Sequence, residues 1–430
     1  MRFRDVKEHH TRTVLPVAHI THGADAPHRS HRKPVVLFVF GEHARELITS
    51  EVGLWLARLL VDNSSAVYEW PELAAAFERA ENNTSSSSSN SSSSSSGRDW
   101  PSVARSWVQE VLAKVEVQIV PIESLDSRRQ VEEGKLCVRK TARNVDLNRN
   151  WPFAWQKEDP GDEQYGGTTP FSEPQSRLMK QVVDANGHRL LGYVNVHSGE
   201  WALYTPWDSK PAYGSGMPAD MPELVATVGR ICDCKVGPAG AVSGYLAFGS
   251  SMDFLYAAKR VPYPLTVEVY GGGGFGKLQP GEANKPLAQF DLIARPDREP
   301  AAPAPLPRRR ALQQQQQQQR QHQQQATGRA DTALAWQQQQ QQQQPLDVAA
   351  SQQQQAQQGG DADVILGLVG RAAKDQQACF NMFNPPSEAE YRRVVADWLA
   401  SFLLMLRHMA NGEGYKTVEV AVSQRRSSRG

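Results

Sequence analysis

Apolar and polar positions along this chain repeat with two periods, and each period predicts its own elements. Val35–Phe40 is an unbroken apolar run, β-branched or aromatic at most positions, and predicts a strand covered on both faces. Gly41 then lets the backbone leave the sheet, and apolar Leu47, Ile48, Val52, Leu54, Trp55 and Leu59 predict a helix over 45–60. Val115–Val120 alternates as a strand does, and Leu191–His197 and Pro264–Tyr270 read as two more. Thr13–Ile20 reads as an edge-type strand, because Pro16 cannot donate to a ladder. Further helices are predicted over 70–81, 173–185, 221–232 and from Ser251. The last, over 387–410, is capped by Ser387 and shows an apolar face of Val394, Val395, Trp398, Leu399, Phe402, Leu403 and Leu406. Such alternation predicts an α/β fold: an α/β/α sandwich around a central mixed, mostly parallel twisted sheet.

Composition interrupts this pattern twice. Residues 82–97 are almost all serine, and residues 282–361 are rich in proline and then glutamine. Neither stretch carries the apolar side chains a core needs, so both are expected to be disordered insertions. One domain over 1–430 is then expected, completed by residues 379–410 after the second insertion. Lys and Arg number 47 against 46 Asp and Glu, a net charge of +1, which argues against nucleic acid as a partner. No apolar run approaches the roughly 20 residues of a membrane span. Met1–His10 is charged without the apolar stretch of a signal peptide. Cys137, Cys232, Cys234 and Cys379 are too few and too scattered to predict a disulfide framework, which leaves the compartment open.

Candidate chemistry sits where the predicted strands end. His43 and Glu46, three apart, follow the first buried strand; together they fit two-thirds of a zinc site, and alone they also fit a solvated helix start. His197 ends a second strand, and strand ends are where α/β sheets build sites. Between them, residues 139–152 gather Arg139, Lys140, Arg143 and Arg149 beside Asn144, Asn148 and Asn150, a polar loop suited to holding a carboxylate. Glu268 lies inside an apolar strand, where an acid is costly unless it is paired or functional.

In this order and on these elements, the set resembles the zinc metallocarboxypeptidases of the carboxypeptidase A type, and within them the variants of plants and algae. The resemblance implies one Zn2+ per chain, held by His43, Glu46 and His197. It implies hydrolysis of the C-terminal peptide bond of peptides or proteins by a zinc-bound water, with Glu268 as general base and Arg139 steadying the oxyanion. Asn148 and Arg149 match the pair that holds the free carboxylate. Tyr245 matches the capping tyrosine by its spacing to Asp253, and Arg45 an arginine of the substrate groove. Met252 stands at the position that tunes the side-chain pocket, and its thioether suggests a preference for apolar C-terminal residues. The resemblance also suggests the extracellular space or secretory pathway, and a monomer is expected. Gly199 replaces the tyrosine of the digestive members, so one groove wall is missing or supplied elsewhere. Ser124–Ser127 replaces a turn, and the segment before the zinc motif is short. A deacylase of the aspartoacylase kind shares most of these residues, although Tyr245 with Asp253 favours the peptidase. An inactive scaffold with partner-recruiting glutamine tracts is the non-enzymatic alternative.

Overall fold

The structure, a computed structural model, describes residues 1–8, 10–22, 33–82, 98–272 and 374–427. The serine tract from 83 onward and the 282–361 insertion lie outside the described residues. Eight strands form one mixed sheet: β1 (Arg2–Glu8), β2 (Thr13–Ile20), β3 (Val35–Val39), β4 (Glu116–Val120), β5 (Leu190–His197), β6 (Trp201–Thr205), β7 (Lys235–Pro238) and β8 (Tyr263–Val269). Their order is β1-β2-β4-β3-β5-β8-β6-β7. The central run β4-β3-β5-β8 is parallel throughout, and β2 and β6 flank it antiparallel. The expected α/β fold with a mixed, mostly parallel sheet is thus present.

Alternation within β3 explains its unbroken apolar run. Val36 and Phe38, followed by Phe40, pack against α1 (Leu47–Val61), α2 (Pro71–Asn82), α3 (Trp100–Lys114), α6 (Met221–Cys232) and the long α9 (Glu388–Asn411). Val35, Leu37 and Val39 point the other way, toward α5 (Pro174–Asn186), α7 (Ser251–Ala257) and Trp151. Both sheet faces are therefore roofed, and a polar residue on β3 would have no water to meet. Trp398 of α9 is fully buried and its indole donates to the Val269 carbonyl at 2.8 Å, so the predicted C-terminal helix is tied to β8.

Three expectations are corrected, and three strands join the predicted ones. Thr13–Ile20 is not an edge: β1 pairs along its whole length, from Arg2 against His19 to Glu8 against Thr13. Pro16 is tolerated because β4 overlaps only Ala18–Ile20, leaving the proline with one neighbouring strand. β1 itself escaped prediction because its charged, largely exposed side chains have no apolar face to reveal it. The region 123–134, expected to be a charged loop, contains α4 (Leu125–Glu132). That helix is written in charge pairs, Arg128 with Glu132 at 2.9 Å and Arg129 with Asp126 at 2.9 Å, and buries only Ser127 and Val131. β6 and β7 are likewise additions to the predicted sheet. Finally, all four cysteines are paired, as Cys137–Cys379 and Cys232–Cys234. The first pair is 242 residues apart, so its spacing carried no signal.

Candidate metal centre and substrate cavity

Gly41 makes the turn out of β3 with φ +62, and a Cβ there would lie 2.9 Å from Ser50 Oγ and 3.1 Å from the Ile122 backbone. Only glycine fits that exit. The chain then presents His43 and reaches Glu46, the residue immediately before α1. Glu46 does not cap its own helix; Asn384, far along the chain, accepts from the Ile48 amide at 3.0 Å instead. The Glu46 carboxylate is thereby left to face the strand ends.

Three donors converge there. His43 Nδ1 lies 2.8 Å from Glu46 Oε1 and 3.1 Å from His197 Nδ1, and His197 Nδ1 lies 3.2 Å from Glu46 Oε2. All three residues are 2% exposed. The opposite ring nitrogens are held by carboxylates: His43 Nε2 by Asp146 Oδ1 at 3.0 Å, and His197 Nε2 by Glu42 Oε2 at 3.0 Å. With each Nε2 carrying the proton it gives to its carboxylate, both Nδ1 lone pairs face each other and the Glu46 carboxylate. Such a donor set is suited to a cation. A tetrahedral zinc with bonds of about 2.0–2.1 Å needs donors roughly 3.3 Å apart, close to these separations.

Glu42 is a second glutamate with a claim, since its ligand atom and those of His43 and His197 lie within 4.8 Å of one another. Glu46 fits better, because it meets both Nδ1 atoms, whereas Glu42 bonds His197 from the far side of the ring and also accepts from Asn195 Nδ2 at 2.7 Å. Burial alone would push the Glu46 carboxyl up. The two histidines outweigh it and hold the group well below the carboxylate range. Burial would likewise lower His197, yet hydrogen bonds and charge from Glu42 and Glu46 raise it well above 6.5.

Asp146, in the polar loop, is the residue whose role sequence reasoning missed. Fully buried, it accepts from the Asn148 amide at 2.9 Å to start the short 3-10 turn Leu147–Arg149, holds His43, and takes Arg139 Nε and Nη2 at 3.2 and 2.8 Å. Its burial opposes ionisation, but Arg139 and His43 keep its carboxyl well below the usual range. Arg139 Nη1 is left pointing at the donor cluster, 3.1 Å from His43 Nδ1. Asn148 is fixed through its Oδ1, which accepts from the Ser251 amide and hydroxyl at 3.0 and 3.1 Å, while Arg149 Nε donates to Gln164 at 3.1 Å.

Glu268 arrives on β8, directly opposite His197 in the parallel β5–β8 ladder. β8 is interior, so the strand's acid is not an edge residue turned to water. Its Oε2 is buried with no hydrogen-bond partner, and burial raises the carboxyl to about 8. His43, Glu46, His197, Arg139, Asn148, Arg149, Tyr245 and Glu268 all line one cavity of about 200 Å³. Tyr245 stands at its rim, 45% exposed.

Residues 105–290 match the sequence profile of the zinc carboxypeptidase family. That stretch holds Arg139, Asn148, Arg149, His197, Tyr245 and Glu268, and starts after His43 and Glu46. The chain is 28% identical over 165 residues to human carboxypeptidase A6, covering 36% of this chain and 37% of that protein. It is 22% identical over 281 residues to carboxypeptidase B of Astacus astacus, covering 54% and 88%. The chain thus spans little more than a third of the human relative. Among solved structures, thrombin activatable fibrinolysis inhibitor (TAFI) aligns with a TM-score of 0.47 at 19% identity, over 68% of this chain and 69% of that one. The resemblance is to the zinc carboxypeptidases.

Within this zinc-carboxypeptidase-like site, two expected groove residues sit apart from the cavity wall. Met252 is fully buried with Ala202, Tyr204 and Ala239, its sulfur 3.5 Å from Thr266 Oγ1. Arg45 lies under Phe383, its guanidinium 4.1 Å from the ring centre. Among the other residues that line the cavity are Asp208 and Phe383. Asp208 shares a buried acidic patch with Asp253 and accepts from Ser250 Oγ at 2.5 Å; burial and the Asp253 charge raise it to about 7. Neither had a sequence signal, since Asp208 stands alone in a loop and Phe383 follows the long insertion. Among the described residues, no helix is long and apolar enough to cross a membrane.

Proposed function

We propose that the chain is a zinc metallocarboxypeptidase that removes single residues from peptide or protein C-termini. The observation carrying this reading is the pair of imidazoles anchored through Nε2 by Asp146 and Glu42, with both Nδ1 atoms and Glu46 aimed at one point beside Glu268. His43, Glu46 and His197 would hold one zinc, which when bound supplies Lewis-acid polarisation of a water and of the scissile carbonyl. Glu268 takes the proton from the attacking water and returns it to the leaving amine. Arg139, clamped through two nitrogens by Asp146, turns Nη1 toward the developing oxyanion, a contribution of about 3 kcal/mol for one such donor. Arg149 and Asn148 bind the free carboxylate and Tyr245 covers it, so that only the last peptide bond reaches the reacting groups.

For the terminal side chain, Asp208 on the cavity wall outweighs the apolar preference suggested by Met252, which the wall hides. A carboxylate there pairs with a C-terminal Lys or Arg. The sign of its pH dependence follows from a value near 7: below it Asp208 is neutral, above it anionic. The ratio of kcat/KM for C-terminal Arg over Phe should therefore rise with pH through about 7, any titration common to both substrates cancelling in the ratio. A flat or falling ratio would remove Asp208 from specificity.

The deciding measurement is metal content together with product analysis. The purified chain should carry one zinc and release one free amino acid from a blocked dipeptide. Hydrolysis of N-acyl amino acids without action on blocked dipeptides would replace this reading by the deacylase.

A further inference from the structure

The wall missing at Gly199 is supplied from 184 positions further along the chain. Gly199 has φ +146, and a Cβ there would lie 3.1 Å from the Phe383 ring. The aromatic ring thus takes the space a side chain at 199 would need, and it lines the cavity. Phe383 ends α8, the helix over 374–383, which is exposed along its first turns. Four contacts fix that end: Ser198 Oγ donates to the Phe383 carbonyl at 2.8 Å, the Arg45 guanidinium stacks on the ring, Asn384 caps α1, and Asn384 Nδ2 donates to the Arg45 carbonyl at 2.8 Å. The covalent tie is Cys137–Cys379, joining α8 to the loop two residues before Arg139. Arg45 Nη1 reaches the same disulfide, 3.8 Å from Cys137 Sγ.

We propose that Phe383 is the wall that selects the substrate residue preceding the C-terminal one, and that the Cys137–Cys379 disulfide latches it, so that a dithiol reductant relaxes this selection. The proposal rests on the carboxypeptidase reading. Arg149, Asn148 and Tyr245 claim the free carboxylate and Asp208 the last side chain, which leaves the margin at Gly199 and Phe383 for the upstream residue. Cys137 and Cys379 are half-buried, open to attack, whereas Cys232 and Cys234 are 3% and 0% exposed. A dithiol's thiolate attacks one sulfur to form a mixed disulfide. Its second thiol then displaces the protein sulfur, leaving two cysteine thiols and the oxidised cyclic reductant.

The test uses the full chain with its disulfides formed and blocked peptides carrying Phe or Gly before the C-terminal residue. Phe383→Ala should cut the Phe-over-Gly ratio of kcat/KM by roughly tenfold, chiefly through KM. Dithiothreitol should do the same to the wild type, with Cys137 and Cys379 found free by alkylation and mass analysis. The Cys137→Ser/Cys379→Ser double variant should start at the lowered ratio and ignore the reductant. Backbone hydrogen exchange over 374–384 should rise on reduction, a readout independent of turnover. An unchanged ratio after complete reduction, or unchanged exchange there, overturns the latch, and an unchanged ratio in Phe383→Ala overturns the wall. Absence of hydrolysis by the oxidised wild type removes the carboxypeptidase reading and the wall with it, and exchange still decides whether the disulfide holds α8.

Discussion

Glu268→Gln should lower kcat on the order of 10³-fold, about 4 kcal/mol in the barrier, while leaving zinc content unchanged. The side chain keeps its size and seat, so β8 and its register with His197 survive the change. What is lost is the proton-accepting carboxylate opposite His197; of the cavity's other carboxylates, Glu200 accepts from the Tyr204 hydroxyl and pairs with Lys235, and Asp208 accepts from Ser250. Glu46 is committed to the two histidines and Asp146 to Arg139 and His43, while Glu268 Oε2 is buried without a partner. Burial raises its carboxyl to about 8, and neighbouring Glu46 adds to the rise while His197 and Arg139 oppose it. A carboxyl so placed holds a proton near neutral pH and gives it up when positive charge is brought close, a useful balance for a group that must both take and return one. Zinc content and the C-terminal release rate measured on the same preparation check the prediction. Unchanged turnover would take Glu268 out of the chemistry, and lost zinc would mean that it supports the ligands instead.

How much of this was legible in the sequence depends on how locally each feature is encoded. β3 and its flanking helices declare themselves because burial on both faces demands a continuous apolar run, and α9 because its apolar stripe must cover the sheet. β1 and α4 do not, since each is stabilised by charged pairs and neighbours that a hydrophobic pattern does not report. The site divides in the same way. His43, Glu46, His197 and Glu268 stand at or in strand ends, where topology alone predicts convergence. Asp146 was overlooked although it lies inside the singled-out polar loop, because a buried carboxylate with three partners looks in sequence like any acid beside arginines. Phe383 and Cys379 could not be placed at all, because they return to the site only after the long insertion. Met252 shows the reverse case, a residue at an expected position whose side chain turns into the core.

Zinc affinity should separate the two glutamates that flank His43. Glu46→Gln is expected to weaken binding by more than about 100-fold, because a three-residue site loses roughly a quarter or more of a total that reaches about 10–16 kcal/mol in four-ligand sites. Glu42→Gln should cost about 10–100-fold, the range for a residue that orients a ligand without touching the metal. The difference follows from which nitrogen each glutamate faces. Glu46 meets Nδ1 of both histidines at 2.8 and 3.2 Å, whereas Glu42 holds only Nε2 of His197, on the far side of the ring. Beside it, burial first and then the Glu42 carboxylate raise Glu123 well above the usual range, which keeps Glu123 protonated and spares Glu42 a second buried anion. Glu123→Gln, which preserves that neutrality, should therefore leave zinc affinity nearly unchanged. Competition with a chelator of known affinity, on folded protein verified by circular dichroism, gives all three values. A Glu42→Gln loss exceeding that of Glu46→Gln would make Glu42 the ligand and Glu46 the orienting group, and the geometry of the proposed site would have to be rebuilt around the other face of His197.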